Sequence, residues 1–184
     1  MDRMDRRRML ESAAALIGLA ALPEAAFAAA GKVASARPAV LDRPGLALVS
    51  AVADTLIPRT DTPGALQAGV PAKFHGLLRD WANPVHRAAL IAALGKIDAA
   101  AKSGAGKPFA LLSAAKRTEV LRAYDSANLK ADPDYARLKE LLCMVYYFSE
   151  PGATVELRYE HVPGAWEPSI PITAATRTWA GAAG

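Results

Sequence analysis

Cysteine is nearly absent: Cys143 is the only one in 184 residues. One thiol closes no internal disulfide and cannot alone hold a cysteine-ligated iron–sulfur cluster. It sits inside the apolar run ELLCMVYYF with no base or cation beside it, which predicts a buried small hydrophobe and not a reactive group. Histidine is scarce too. His75, His86 and His161 are far apart and form neither a His-x-x-x-His pair nor a Cys-x-x-Cys-His haem attachment site. There is no Gly-x-Gly-x-x-Gly for a dinucleotide and no Gly-x-Ser-x-Gly for acyl transfer. Gly104–Pro108, GAGKP, has the wrong spacing for a phosphate loop. Ala101 stands where the first glycine belongs, and Pro108 stands where Ser or Thr should follow the lysine. The formal charge of +4 is spread along the chain without a basic run interleaved with aromatics, which argues against nucleic-acid binding. The carboxylates Asp54, Asp61 and Glu150 fall near helix ends and form no obvious catalytic pair. No catalytic, cofactor-binding or metal-binding residue is assigned.

What is present begins at the N-terminus. Arg6 and Arg7 form an arginine pair, a mild apolar run extends from Ala13 to Leu22, Pro23 ends it, and Ala26-Phe27-Ala28 is a small-x-small cleavage site. A charged head, an apolar middle and a small-residue exit define a removable signal peptide. The arginine pair points to the twin-arginine route, which carries folded cargo to the periplasm. The apolar run is too short and alanine-rich for a membrane span, which needs about 20 apolar residues. Residues 1–28 are therefore expected to be a signal peptide cut after Ala28. Within it Arg3, Arg6, Arg7 and Arg8 balance Asp2, Asp5, Glu11 and Glu24, so the remainder keeps the positive excess. That remainder suits a single domain.

Residues 29–44 read as a linker and 45–184 as one helical domain with an irregular arm from about residue 161. Leu46, Val49, Ala53, Leu56 and Ile57 recur at helical spacing until Pro58. Pro58–Pro71 is a loop in which Pro63-Gly64 suits a type II turn with positive φ at the glycine. Phe74, Leu77, Leu78 and Trp81 trace one apolar helix face. Asn83-Pro84 and Asp132-Pro133 each read as a cap followed by a first-turn proline, and Ser113 as a further cap. The helix after Asn83 is expected to reach about Ala101. The one after Asp132 should bury Tyr135, Leu138, Leu142 and Val145. With no sustained strand-like alternation, the fold class is all-α: a compact array of about five or six helices with an extended C-terminal arm.

Two stretches carry a resemblance. ADTLIPRTDTPGALQAGVPAKF, Ala53–Phe74, resembles the N-terminal signature of the gluconate 2-dehydrogenase subunit 3 family. YYFSEPGATVELRYEHVPGAWEPSIPI, Tyr146–Ile172, is similar to its C-terminal segment through Ser149, Glu150, Gly152, Tyr159, Pro163 and Gly164. The resemblance implies a small, non-catalytic accessory subunit of a periplasmic dehydrogenase acting on gluconate, sugars or glycosides. The catalytic partner would be a large flavoprotein similar to glucose–methanol–choline oxidoreductases and would hold FAD. A c-type cytochrome subunit would carry haem c, and membrane association would come only through the complex. The small chain would bind no cofactor itself and would escort the folded flavoprotein through the twin-arginine route. The partner interface is expected to use Asp61, Thr62, Pro63, Gly64, Tyr146, Tyr147, Phe148, Tyr159, Pro163, Gly164 and Trp166, and truncation at Glu160 should abolish association. The competing reading is a free-standing periplasmic helical domain that binds a ligand or metal.

Overall fold

The computed structural model describes residues 40–159, 169 and 171–179. Within them the chain forms five α-helices: α1 Arg43–Leu56, α2 Val70–Asp80, α3 Pro84–Ala105, α4 Ala114–Asn128 and α5 Pro133–Tyr147. A 3-10 turn, Phe109–Leu111, joins α3 to α4, and a π-helical turn, Gly152–Glu156, follows α5. The all-α expectation holds. The described residues contain no strand beyond a single parallel bridge between Arg158 and Trp179.

Most helix starts follow from local chemistry. The Asn83 side chain accepts from the His86 amide at 2.9 Å, and Asp132 accepts from the amides of Asp134 and Tyr135. Ser113 accepts from the Lys116 amide. Each cap satisfies donors that the first helical turn leaves without partners. Pro71, Pro84 and Pro133 occupy first-turn positions, where a missing amide hydrogen costs nothing. Pro44 does the same for α1, which Asp42 caps, so this helix opens just inside the stretch read as a linker. α3 runs four residues beyond the expected end at Ala101. Ala and Lys tolerate helix well, and only Gly106, at φ 68°, supplies the left-handed stop.

α1 packs against α2, α4 and the 3-10 turn, while α3 packs on α5 and α4, and α2 lies along α5. Val49 and Val52 of α1, Phe74 and Leu78 of α2, Leu90, Leu94 and Ile97 of α3, and Phe109 fill the space between them. Tyr135, Leu138, Leu142 and Val145 of α5 are all buried, as their spacing predicts. The Phe109 amide donates to Asp98 Oδ1 at 2.8 Å, so α3 pins the connector and seats the Phe109 ring in the core.

Two local expectations are corrected. Trp81 does not continue the buried face of α2. It falls on the C-cap and is 69% exposed, so the apolar stripe runs out of the core into solvent. Gly64 does not adopt the positive φ of a type II turn; among the described residues only Gly69 and Gly106 do. Its need for glycine is steric. A Cβ there would lie 2.5 Å from the Arg59 nitrogen and 2.8 Å from the Ile57 carbonyl oxygen.

Candidate functional site

The two stretches singled out in sequence meet in space. After α1 the chain turns back sharply: the Ala65 amide donates to the Ile57 carbonyl at 2.9 Å, and the Thr60 amide donates to the Thr62 carbonyl. This closes the loop Pro58–Gly64 on itself. The loop then docks on the end of α5. The Tyr146 hydroxyl donates to the Pro63 carbonyl at 2.7 Å, and the Thr62 hydroxyl donates to Glu156 Oε2 at 2.5 Å. Tyr146 is buried, and its hydroxyl is pushed above the ordinary tyrosine range first by that burial and then by the charge of Glu156.

The turn after α5 is equally tight. Ser149 Oγ donates to the Tyr146 carbonyl and accepts from the Gly152 amide. A Cβ on Gly152 would fall 2.1 Å from the same Tyr146 carbonyl oxygen. Ser149 and Gly152 thus let the π-helical turn fold back against α5 and carry Glu156 to Thr62. From there Arg158 meets residues 171–179. Its amide donates to the Thr178 carbonyl at 2.8 Å, and its guanidinium lies 4.3 Å from the centroid of the Trp179 ring. Arg177 pairs with Asp61 at 2.9 Å. The hydrogen bond from Arg177 is the main reason the Asp61 carboxyl stays below its ordinary range.

The expected interface residues therefore divide. Thr62, Gly64 and Tyr146 are buried within the chain's own junction, where the Thr62 and Tyr146 hydroxyls have hydrogen-bond partners. Pro63 is half-buried. Asp61, Tyr147, Phe148 and Tyr159 face outward, Phe148 with 80% of its surface exposed. Consecutive aromatics on one helix end point different ways, so Tyr146 turns inward while Tyr147 and Phe148 do not. Pro163, Gly164 and Trp166 lie outside the described residues, as do His161 and Arg6, Arg7, Ala26 and Ala28.

A second surface was missed in sequence. Lys73, Gly76, Leu77, Asp80 and Trp81 from α2 face Leu141, Met144, Val145 and Phe148 from α5 across a groove of about 530 Å³. The signal was available: an apolar i, i+3, i+7 series ending on Trp81 overshoots the core face. Beside the junction, Thr60, Thr62, Cys143, Tyr146, Tyr147 and Glu156, with the apolar Leu56, Ile57 and Pro58, line a smaller hollow of about 290 Å³. Cys143 is half-buried, and burial pushes its thiol up, away from the reactive thiolate.

Among the described residues, no group of three His, Cys, Asp or Glu side chains is placed to hold a metal ion. No helix among them is long and apolar enough to cross a membrane. No curated protein and no solved structure matches the chain. The family model for gluconate 2-dehydrogenase subunit 3 matches residues 45–164, from the first turn of α1 to beyond the π-helical turn that follows α5. The chain belongs to the gluconate 2-dehydrogenase subunit 3 family.

Proposed function

We propose that this protein is the non-catalytic small subunit of a periplasmic, FAD-dependent dehydrogenase that oxidises gluconate, a sugar or a glycoside. The observation that carries the reading is the family match across residues 45–164. Its partner is a large flavoprotein of the glucose–methanol–choline type, which holds FAD and performs the chemistry. A c-type cytochrome subunit carrying haem c takes the electrons onward. The small chain stabilises the flavoprotein and carries it across the membrane by the twin-arginine route.

The physical logic rests on where each component is assembled. FAD binds its apoprotein in the cytoplasm, so the flavoprotein must cross already folded. A partner bearing an arginine-pair signal supplies the address for both chains, provided the interface survives transit. An obligate pair typically buries about 2,000 Å² or more. Arg6, Arg7 and the cleavage site ending at Ala28 supply the address, and the surface around Asp61, Tyr147, Phe148 and Tyr159 supplies part of the contact.

The test is co-purification from the native gene neighbourhood with a tag on the small chain. The expected result is a large co-eluting chain with a flavin absorption band. Replacing Arg6 and Arg7 together by lysine should leave that chain in the cytoplasm. A colourless small chain, recovered alone while the large chain is present, would overturn the reading.

A further inference from the structure

Residues 171–179 lie on the junction without entering the core. Each of them is exposed, Ile172 to 88%, and none belongs to the buried apolar cluster. Lost apolar burial is the main penalty for lifting a segment off a protein, so this one lifts easily. It also carries its own local structure. The Thr176 amide donates to the Thr173 carbonyl at 3.0 Å, and the Thr173 amide donates to Thr176 Oγ1 at 2.8 Å. That turn uses only groups within the segment, so it survives lifting and keeps the segment together as a unit.

The ties described above reach two anchors. Asp61 in the loop after α1 holds Arg177, while Arg158 after the π-helical turn holds the Thr178 carbonyl and the Trp179 ring. Extended chain sends alternate side chains to one face, which is why Arg177 and Trp179 both find partners while Thr178 engages through its backbone. The two anchors are themselves joined. Thr62, next to Asp61, donates to Glu156 Oε2, and Glu156 stands two residues before Arg158. Thr60 Oγ1 donates to Asp61 Oδ1 at 3.1 Å, and the Thr60 amide donates to the Thr62 carbonyl, so Asp61 and Thr62 are set in one loop geometry. The Thr62 hydroxyl therefore fixes the spacing of both anchors, although its own hydrogen bonds go to Thr60 and Glu156.

We propose that residues 171–179 form a strap that opens and recloses on an intact helical core, and that the Thr62 hydroxyl is the positioning group that latches it. Thr62 is buried, so water competes little for its bond to the Glu156 carboxylate, and a hydrogen bond to a charged acceptor is a strong one. The contacts made by the strap itself are exposed and individually weak. The latch is thus firm where it touches the core and soft where it touches the strap. With the strap closed, Arg177 covers Asp61 and Trp179 stacks on Arg158. With it open, both anchors are relieved of those partners, and the end of α5 presents a second surface.

The backbone amide of Arg158 reads the closed state, because its acceptor is the Thr178 carbonyl. Hydrogen exchange of the full chain, followed residue by residue in a series of low urea concentrations, tests the proposal. The Arg158 amide should exchange at least a hundredfold faster than the core amides of Leu94 and Ile97. Its rate should be nearly independent of urea, since opening the strap exposes little surface. Trp179→Ala, which cannot disturb the core, should speed Arg158 exchange about two- to fivefold, the loss of one exposed cation–π contact. Thr62→Val keeps the side-chain shape and removes the donor, and should speed Arg158 exchange at least threefold relative to Leu94 and Ile97. Glu156→Ala should do the same, whereas Glu156→Gln keeps an acceptor for Thr62 and should stay within twofold of the native chain. An Arg158 amide that exchanges only with the core, or one without protection in the native chain, would overturn the strap. Equal acceleration at Arg158 and at the core amides in Thr62→Val, or no change at Arg158 in both Thr62→Val and Glu156→Ala, would overturn the latch.

Discussion

A methyl group added at Gly64 would meet three backbone atoms within 2.8 Å, and one at Gly152 would press on the Tyr146 carbonyl oxygen. Backbone cannot step aside as a flexible side chain can, so the junction between the loop and α5 must open to accept it. Gly64→Ala and Gly152→Ala should each cost about 3 kcal/mol or more, at the upper end for single substitutions. Tyr146→Phe is the milder probe of the same place. It removes the donor to the Pro63 carbonyl while keeping the ring in the core, and should cost about 1–2 kcal/mol. Urea denaturation of the three variants checks the order, and near-equal values would mean that the close approaches relax freely. In sequence Gly64 was legible as a required glycine but for the wrong reason. Pro63-Gly64 suggests a turn with positive φ, whereas the actual constraint comes from Pro58 and Arg59 folding back over it. That approach depends on how α1 ends against α2 and α5, which no local pattern encodes.

Helices α4 and α5 are tied by one carboxylate. Asp125 of α4 accepts from the Tyr135 hydroxyl at 2.9 Å and from Lys139 Nζ at 2.7 Å, both on α5. The hydrogen bond from Lys139 does most to hold the Asp125 carboxyl below its ordinary range, and that from Tyr135 assists. A carboxyl whose folded-state pKa is depressed adds stability above its unfolded value, and loses it as pH falls through the folded value. Asp125 is partly solvated, which limits the contribution to about 1 kcal/mol. Asp125→Asn should therefore lower stability by about that much at neutral pH and by progressively less as pH falls below the ordinary carboxylate value of about 3.9. Melting temperatures across that window check it, and an equal loss at both pH values would assign the effect to packing. The helices themselves were largely legible. Asn83-Pro84, Ser113 and Asp132-Pro133 mark their starts because a cap needs only its own neighbours. The Asp125–Lys139 tie was not legible, since it depends on how two helices face each other. Trp81 was misread for the same reason: periodicity defines a stripe but not where the neighbouring helix stops covering it.

At the scale of the molecule, the core and the C-terminal segment do different work. Among the described residues, Leu41 to Tyr146 contain every member of the buried apolar cluster. Residues 171–179 add only exposed contacts: the Arg177–Asp61 pair, the Arg158–Trp179 stack and the backbone bond to Thr178. A fully exposed ion pair is screened by solvent and adds little, and an exposed cation–π contact contributes about 0.5–1 kcal/mol. Removing them should lower the melting temperature by only a few degrees. Association depends on different atoms. If the surface near the end of α5 forms the partner contact, the segment beyond Glu160 adds Trp179 to it through the Arg158 stack. Truncation at Glu160 should then leave a folded helical domain that no longer retains the flavoprotein. Circular dichroism reads the first property and co-purification the second. A truncated chain that melts normally and still brings down the flavin-bearing subunit at full yield would remove the C-terminal segment from the interface. A truncated chain that does not fold would show that exposed contacts outside the buried cluster support the core, contrary to the energetics above.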